Sequence, residues 1–332
     1  MKAFRTKTII KMGLLLILVE IMGFTFSSSS APYQKNINFD SPGLAFVCHI
    51  THNYVTVIDL KTNKIVDTLQ AGSGTDWFTL SQGGKTAYVA NFQSNNITII
   101  DSKDNKNIES IPVGKRPTCI CLPDNEQVAL ISHESQDGLW FMNIATHQIM
   151  KKISEGTGLL RVLKNKNKIY QPAIFRPYVH IINPDNQTIS KSIYVGGRPL
   201  NIDFTPDGKH AYVTNSDLNE VQVIDTKTDS VINKISGIDV PRGLAITPNG
   251  KYVLVTNVSS NQVTVIEVKN NSVLKKISVD KMPTDIAITK DGKFAYITNQ
   301  GSASIAIISL DKLEVVNNIE VADNPISIHL SD

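Results

Sequence analysis

From Leu44 onward, short runs of alternating or continuous apolar residues are separated by clusters of Asn, Asp, Gly and Pro. Around residue 210 the runs read AYVTN, EVQVID, SVINKI and RGLAIT, punctuated by NSDLN, TKTD, DVPR and PNGK. Alternation with a period of two, rich in Val, Ile and Tyr, predicts β-strands. The punctuating residues are those that accept turn dihedrals or bond to their own backbone.

The same four-run pattern returns at Leu44, Thr86, Val128, Ile169, His210, Tyr252 and Phe294, at offsets of 42, 42, 41, 41, 42 and 42 residues. A period of this size with four strands per unit is that of a propeller blade, whose two faces pack against its neighbours. The first copy lacks a preceding strand of the PRGLAIT kind, and NPISIHL at residues 324 to 330 supplies one. The fold expected is therefore an all-β, seven-bladed propeller of four-stranded antiparallel blades. Its ring closes three-plus-one through the C-terminal strand, which hides an otherwise open sheet edge. The copy at 169 keeps the pattern least well, so a distorted blade is expected there.

AYVAN at 87 to 91, AYVTN at 211 to 215, LVTN at 254 to 257 and AYITN at 295 to 299 recur together with VID, PDGK and G-x-x-P. In these segments the chain resembles the 40-residue YVTN β-propeller family of bacterial and archaeal exported and cell-surface proteins. The resemblance runs over residues 44 to 332. It implies the propeller fold, but its functional range is broad: surface antigens, surface-layer-like proteins, periplasmic binding proteins and, more distantly, propeller enzymes.

The N-terminus reads differently. MKAFRTKTIIK carries four cations and precedes MGLLLILVEIMGFTF, an apolar stretch broken by Glu20 and followed by SSSSAP. That stretch is short for a membrane span and suits the apolar region of a secretory signal. The expected organisation is a signal peptide at 1–30, an N-terminal segment at 31–43 and the propeller at 44–332. The expected location is the periplasm or cell surface, with no membrane span in the mature chain, which is expected to be a monomer.

Composition adds two exclusions. The net charge of +3 is wholly supplied by Lys2, Arg5, Lys7, Lys11 and Glu20, so the rest of the chain is neutral and a globally basic nucleic-acid binder is disfavoured. Cysteines 48, 119 and 121 are an odd number and form no disulfide framework, leaving stability to packing.

Most recurring polar residues have structural explanations. Asn91, Asn215, Asn257 and Asn299 close their strands, and Asp59, Asp101 and Asp225 open turns that they can cap. Gly84, Gly208, Gly250 and Gly292 allow positive φ in turns, and Pro117, Pro199, Pro241, Pro283 and Pro325 set the entry to the innermost strands. Departures from the repeat are the better place to look for function. The Asn position becomes His49, His133 and Ile174 in three copies, and HESQDGLWF and QPAIFRPYVH replace the usual pattern.

In a four-strand meander, one face gathers the loops between second and third strands together with the crossovers to the next blade. It would collect His49, His52, Asp76, Lys115 and Lys281 with the seven candidate ligand residues Trp77, Arg116, His133, Arg176, Tyr178, Arg198 and Arg242. Arg116 and Arg198 precede the entry prolines, which is expected to put both guanidinium groups near the central opening. Arginine suits carboxylate or phosphate. His329 on the closing strand is expected to look toward Asp203 or Asp285 in the tunnel.

No H-E-x-x-H, G-x-S-x-G, P-loop or zinc-spaced Cys pair occurs, so no catalytic residue, metal or cofactor is assigned. The expectation from sequence is a non-enzymatic exported binding protein or surface antigen presenting this face to a protein or small anionic ligand. The alternatives are a propeller enzyme, either a lyase or a metal or quinone oxidoreductase, and a periplasmic single-stranded nucleic-acid binder.

Overall fold

A computed structural model describes residues 39, 42–102, 106–123, 127–135, 137–155, 161–163 and 168–331. The signal-peptide reading at 1–30 lies outside the described residues.

Seven four-stranded antiparallel sheets form the ring, as the periodicity requires. From innermost to outermost, blade 1 consists of Pro325–Leu330, Leu44–His49, Tyr54–Asp59 and Lys64–Gln70. Blade 5, the most regular in sequence, runs Pro199–Phe204, His210–Asn215, Glu220–Asp225 and Ser230–Ser236. Blade 4 is the irregular one, since its innermost strand is only Arg161–Leu163. No helix among the described residues is long and apolar enough to cross a membrane.

Apolar residues on both strand faces are buried between adjacent blades. Across the closing seam, Ala45, Val47, Ile58 and Ile328 of blade 1 pack against Tyr296, Ile305, Ile307 and Ile319 of the preceding blade. Each buried Ile contributes about 1.5–3 kcal/mol. The C-terminal strand pairs with Leu44–His49 in the register Phe46 to His329 and Val47 to Ile328; beyond it the Ser331 amide donates to the Leu44 carbonyl, and the Leu44 amide donates to Ser331 Oγ. Asp285 accepts a hydrogen bond from the Ile328 amide at 3.1 Å, and Asp203 accepts one from the Ile246 amide at 2.9 Å. Each carboxylate thereby joins the innermost strand of one blade to that of the next. His329 instead lies edge-on to Trp77, with ring centroids 4.2 Å apart.

The recurring Tyr has an equally direct explanation. Its hydroxyl reaches the left-handed turn residue between the third and outermost strands of the following blade: Tyr170 donates to Asp229 at 2.6 Å, Tyr212 to Asn271 at 2.5 Å and Tyr296 to Asn63 at 3.0 Å. In blade 6 the Tyr is Leu254 and its target is Leu313, and both join one apolar cluster. The Tyr296 bond crosses the closing seam. Tyr296→Phe is therefore expected to lower Tm by about 2–4 °C, the effect of losing about 1 kcal/mol; thermal unfolding by circular dichroism reads it directly.

Candidate functional site

The entry ends of the innermost strands and the loops between second and third strands share one face, here called the upper face. Most of its repeat residues are structural. Asn215 donates to the Val195 and Gly196 carbonyls of the crossover, whereas Asn91 donates to Thr98 Oγ1 at 2.9 Å and Asn257 to Thr264 Oγ1 at 2.7 Å, clamping the neighbouring strand. His49 does the same work, with Nε2 2.8 Å from Thr56 Oγ1. Burial is the main cause that pushes its pKa down to about 4, and His52 beside it adds to the effect. His133 is likewise buried, with Nδ1 3.0 Å from the Gly138 carbonyl and its ring against Trp140. Trp77 is packed into the core between blades 2 and 3.

The remaining candidates do not converge on one place. Arg116 has left-handed backbone, fixed by its amide donating to Asn95 Oδ1 at 2.9 Å, and its guanidinium lies 5.4 Å from the centre of the Phe92 ring. Arg198 does not point freely into the opening; Nε bonds Ser216 Oγ at 3.1 Å and lies 3.5 Å from Asp217. Arg176 and Tyr178 stand on the rim of blade 4, where Arg176 is exposed and Tyr178 half-buried.

Arg242 is at the tunnel mouth. Gly243 permits this, because a Cβ there would fall 2.5 Å from the Thr284 carbonyl and 2.8 Å from Asp285 Cα, so only glycine lets the strands of blades 6 and 7 come this close. Thr214 Oγ1 donates to the Arg242 carbonyl at 2.9 Å and holds the backbone. Around Arg242 the structure gathers carboxyl groups. Asp76 enters from blade 2, where the corresponding positions of blades 3, 5, 6, 7 and 1 carry Thr118, Leu200, Arg242, Thr284 and Ile326. Glu134 comes from the end of the second strand of blade 3, its amide donating to the Arg116 carbonyl at 2.8 Å.

Electrostatics distinguish these two acids. Asp76 is half-buried, and loss of hydration pushes its pKa up to about 8; Arg242 opposes the shift, while Glu134 and Asp285 reinforce it. Burial also raises Glu134, but Arg242, Arg116 and Arg198 all pull it back. Two carboxyls near one cation, placed in unequal environments, are suited to hold a proton on one and not on the other. Ser327 Oγ, on the closing strand, donates to the Asp76 carbonyl at 2.5 Å, so ring closure itself fixes the position of Asp76. Among the described residues no group of three His, Cys, Asp or Glu side chains could hold a metal ion.

Asp76 also sets a stability signature. Its folded pKa lies above the unfolded value, so the folded state retains a proton that the unfolded chain releases between pH 4 and about 8. Stability is therefore lost as pH rises through that window. Asp76→Asn is expected to gain on the wild type in Tm steadily from pH 4 to about 8, so that its advantage is several degrees larger at pH 9 than at pH 4. Equal Tm values at both pH values in a differential scanning experiment would remove the proposed shift.

A family model matches part of the ring. Residues 187–282, the last strand of blade 4 with blades 5 and 6, match "Lactonase, 7-bladed beta-propeller". The likeness is to an enzyme family. It overturns the expectation of a non-enzymatic binding protein or surface antigen, and the propeller-enzyme alternative takes its place. Solved structures support the fold over nearly the whole length. A putative 6-phosphogluconolactonase from Bacteroides fragilis superposes with a TM-score of 0.73 at 16% identity, covering 87% of this chain and 98% of that one. Kuenenia stuttgartiensis hydrazine synthase gives 0.72 at 16% identity over 82% and 94%. The dihydro-heme d1 dehydrogenase NirN gives 0.68 at 14% identity, with 90% of this chain covering 66% of that one. No curated protein matches the sequence.

Sequence alone had collected Asp76 and Arg242 among many residues on this face and did not single out Glu134. A signal was available: the corresponding position is Phe92, Ser216, Val258 and Gln300 in blades 2, 5, 6 and 7, and is acidic only at Glu134.

Proposed function

We propose that the protein is an acid–base hydrolase that opens small anionic lactones at the upper mouth of the propeller. The observation that carries the reading is the pair Asp76 and Glu134 held in unequal environments around Arg242. The lactonase-model match supports the substrate class.

In this reading Glu134, faced by three guanidinium groups, is the base and takes a proton from water as the water oxygen attacks the lactone carbonyl carbon. Arg242 stabilises the oxyanion that develops on the carbonyl oxygen. Collapse breaks the bond between carbonyl carbon and ring oxygen, and Asp76 gives its proton to the departing alkoxide. The product is the open hydroxy acid, and proton exchange returns Glu134 and Asp76 to their starting states. Arg116 and Arg198 supply the positive field that draws an anionic substrate to the mouth.

The recurring AYVTN-type segments support placing the chain beside the YVTN-repeat propellers, and the cationic and apolar first thirty residues support export to the periplasm or cell surface. The direct test is hydrolysis of a panel of aldonic-acid γ- and δ-lactones, with and without a terminal phosphate, followed by acid release in a pH-stat. Saturable turnover inhibited by the matching hydroxy acid is the expected result. Rates no faster than the uncatalysed reaction across the panel would reject the reading.

A further inference from the structure

Away from the mouth, the rim between blades 4 and 5 departs from the repeat in a way that blade packing does not require. Tyr194 ends the outermost strand of blade 4, where blades 1, 2, 5, 6 and 7 carry Gln70, Pro112, Ser236, Ser278 and Glu320. Leu218 occupies a loop position that is Ser94, Ser260 and Ser302 in blades 2, 6 and 7. Tyr194 is 67% exposed and Leu218 44%, and nearby Phe175 is 60% exposed. Tyr194 and Leu218 therefore put large exposed apolar groups where most of the compared blades carry polar ones; blade 3 has Ile153 at the Tyr194 position, but there it is half-buried against the core.

The geometry makes one notch of these residues. Tyr178 pairs with Tyr194 across the strands and meets its ring edge-on, with centroids 5.6 Å apart and planes at 69°. Leu218 lies over Gly197, where a Cβ would be 2.8 Å from Leu218 Cγ and 2.3 Å from Asn215 Oδ1. The Val195 and Gly196 amides both donate to the Pro177 carbonyl, drawing the loop that carries Phe175 alongside. At the floor, Arg198 bonds Ser216 and pairs with Asp217, and both charged side chains remain more than a third exposed.

We infer that this notch is a carbohydrate-binding platform, with Tyr194 stacking against the C–H face of a sugar ring and Asp217 and Arg198 bonding its hydroxyls. Three features favour that ligand. The Tyr194 ring is held in orientation by Tyr178, so stacking costs little side-chain entropy. Arg198 and Asp217 offer donors and acceptors without net charge, which suits hydroxyls better than a phosphate. The exposed apolar surface is on the order of 300 Å², far below the ~800 Å² per partner that a stable protein interface needs, but ample for one or two sugar rings. The platform shares Arg198 with the mouth, but its stacking ring, Tyr194, takes no part in the chemistry proposed there.

Affinity electrophoresis of the full chain tests it, in gels cast with hydroxyethylcellulose, xylan, glycol chitin or dextran. Retardation by at least one polysaccharide is expected, weakened at least tenfold in Tyr194→Ala, largely kept in Tyr194→Phe and unchanged in Asp76→Asn. Tyr194→Ala should keep the wild-type Tm because the side chain is mostly exposed. Mobility equal to that in a blank gel for all four polymers would overturn the proposal, as would retardation that Tyr194→Ala leaves intact. A wild-type dimer in sedimentation equilibrium that Tyr194→Ala dissolves would also overturn it, because the notch would then be occupied by a second copy.

Discussion

Asp76→Asn is expected to lower kcat for lactone opening at least a hundredfold while leaving the ring folded. General acid catalysis contributes about 10²–10⁴-fold, and an amide cannot give a proton to the departing ring oxygen. Asn matches the shape of protonated Asp, so KM should change little. The pH dependence makes the prediction specific. The acid must be protonated to act, so wild-type kcat/KM should fall as pH rises through about 8, where Asp76 ionises. The residual rate of Asp76→Asn should lack that descending limb. Arg242→Ala should differ, raising KM as well as lowering kcat, because Arg242 is the cation that opposes the raised pKa of both acids and would face the substrate. Initial rates from pH 5 to 10 on the three proteins separate these outcomes. A wild-type profile with no limb near 8 would place the chemistry on other groups.

The largest stability effect is expected from removing residues 325 to 332. Those residues supply the innermost strand of blade 1, the burial of Ile326 and Ile328, the bond from the Ile328 amide to Asp285 and the Ser331–Leu44 clasp. Two buried isoleucines alone account for about 3–6 kcal/mol, comparable to the whole stability of many domains. The truncated chain also presents Leu44–His49 as an unpaired apolar edge. It should be recovered as aggregate, or as a species that binds hydrophobic dye and lacks a cooperative melt. A permuted chain provides the control. The closing strand ends beside the start of Leu44–His49, so placing 325–331 ahead of residue 42 should restore a sharp transition. A truncated chain that melts cooperatively near the wild-type Tm would mean that the seam contributes little.

The architecture was legible because propeller packing is periodic. Every blade needs apolar residues on both faces and turn residues at fixed places, so strands, blade number and closure could be counted from spacing. The site is legible only by exception. Asp76 and Glu134 belong to different copies, 58 residues apart in sequence, and nothing in their local patterns indicates that the ring brings both to Arg242. The rule that departures mark function was half right. His49 and His133 depart from Asn and are still structural, because imidazole nitrogens can make the hydrogen bonds that hold the strand ends. Trp77 fills the core. Arg198, expected at the opening, is held to Asp217 because the crossover before Pro199 contains Gly196 and Gly197, both at positive φ, and takes a different path from the other entries. The tunnel acids Asp203 and Asp285 join neighbouring strands through backbone amides. Composition could not reveal this, since a carboxylate bound to amides and one free to react look alike in sequence.

The proposed chemistry requires a carboxyl group at the mouth that keeps its proton at neutral pH. Carbon-13 NMR of protein labelled at aspartate carboxyl carbons, with Asp76→Asn supplying the assignment, measures that proton directly. A resonance that titrates near pH 8 and vanishes in the variant is expected. Titration of that resonance near pH 4, as for an ordinary solvated aspartate, would contradict it.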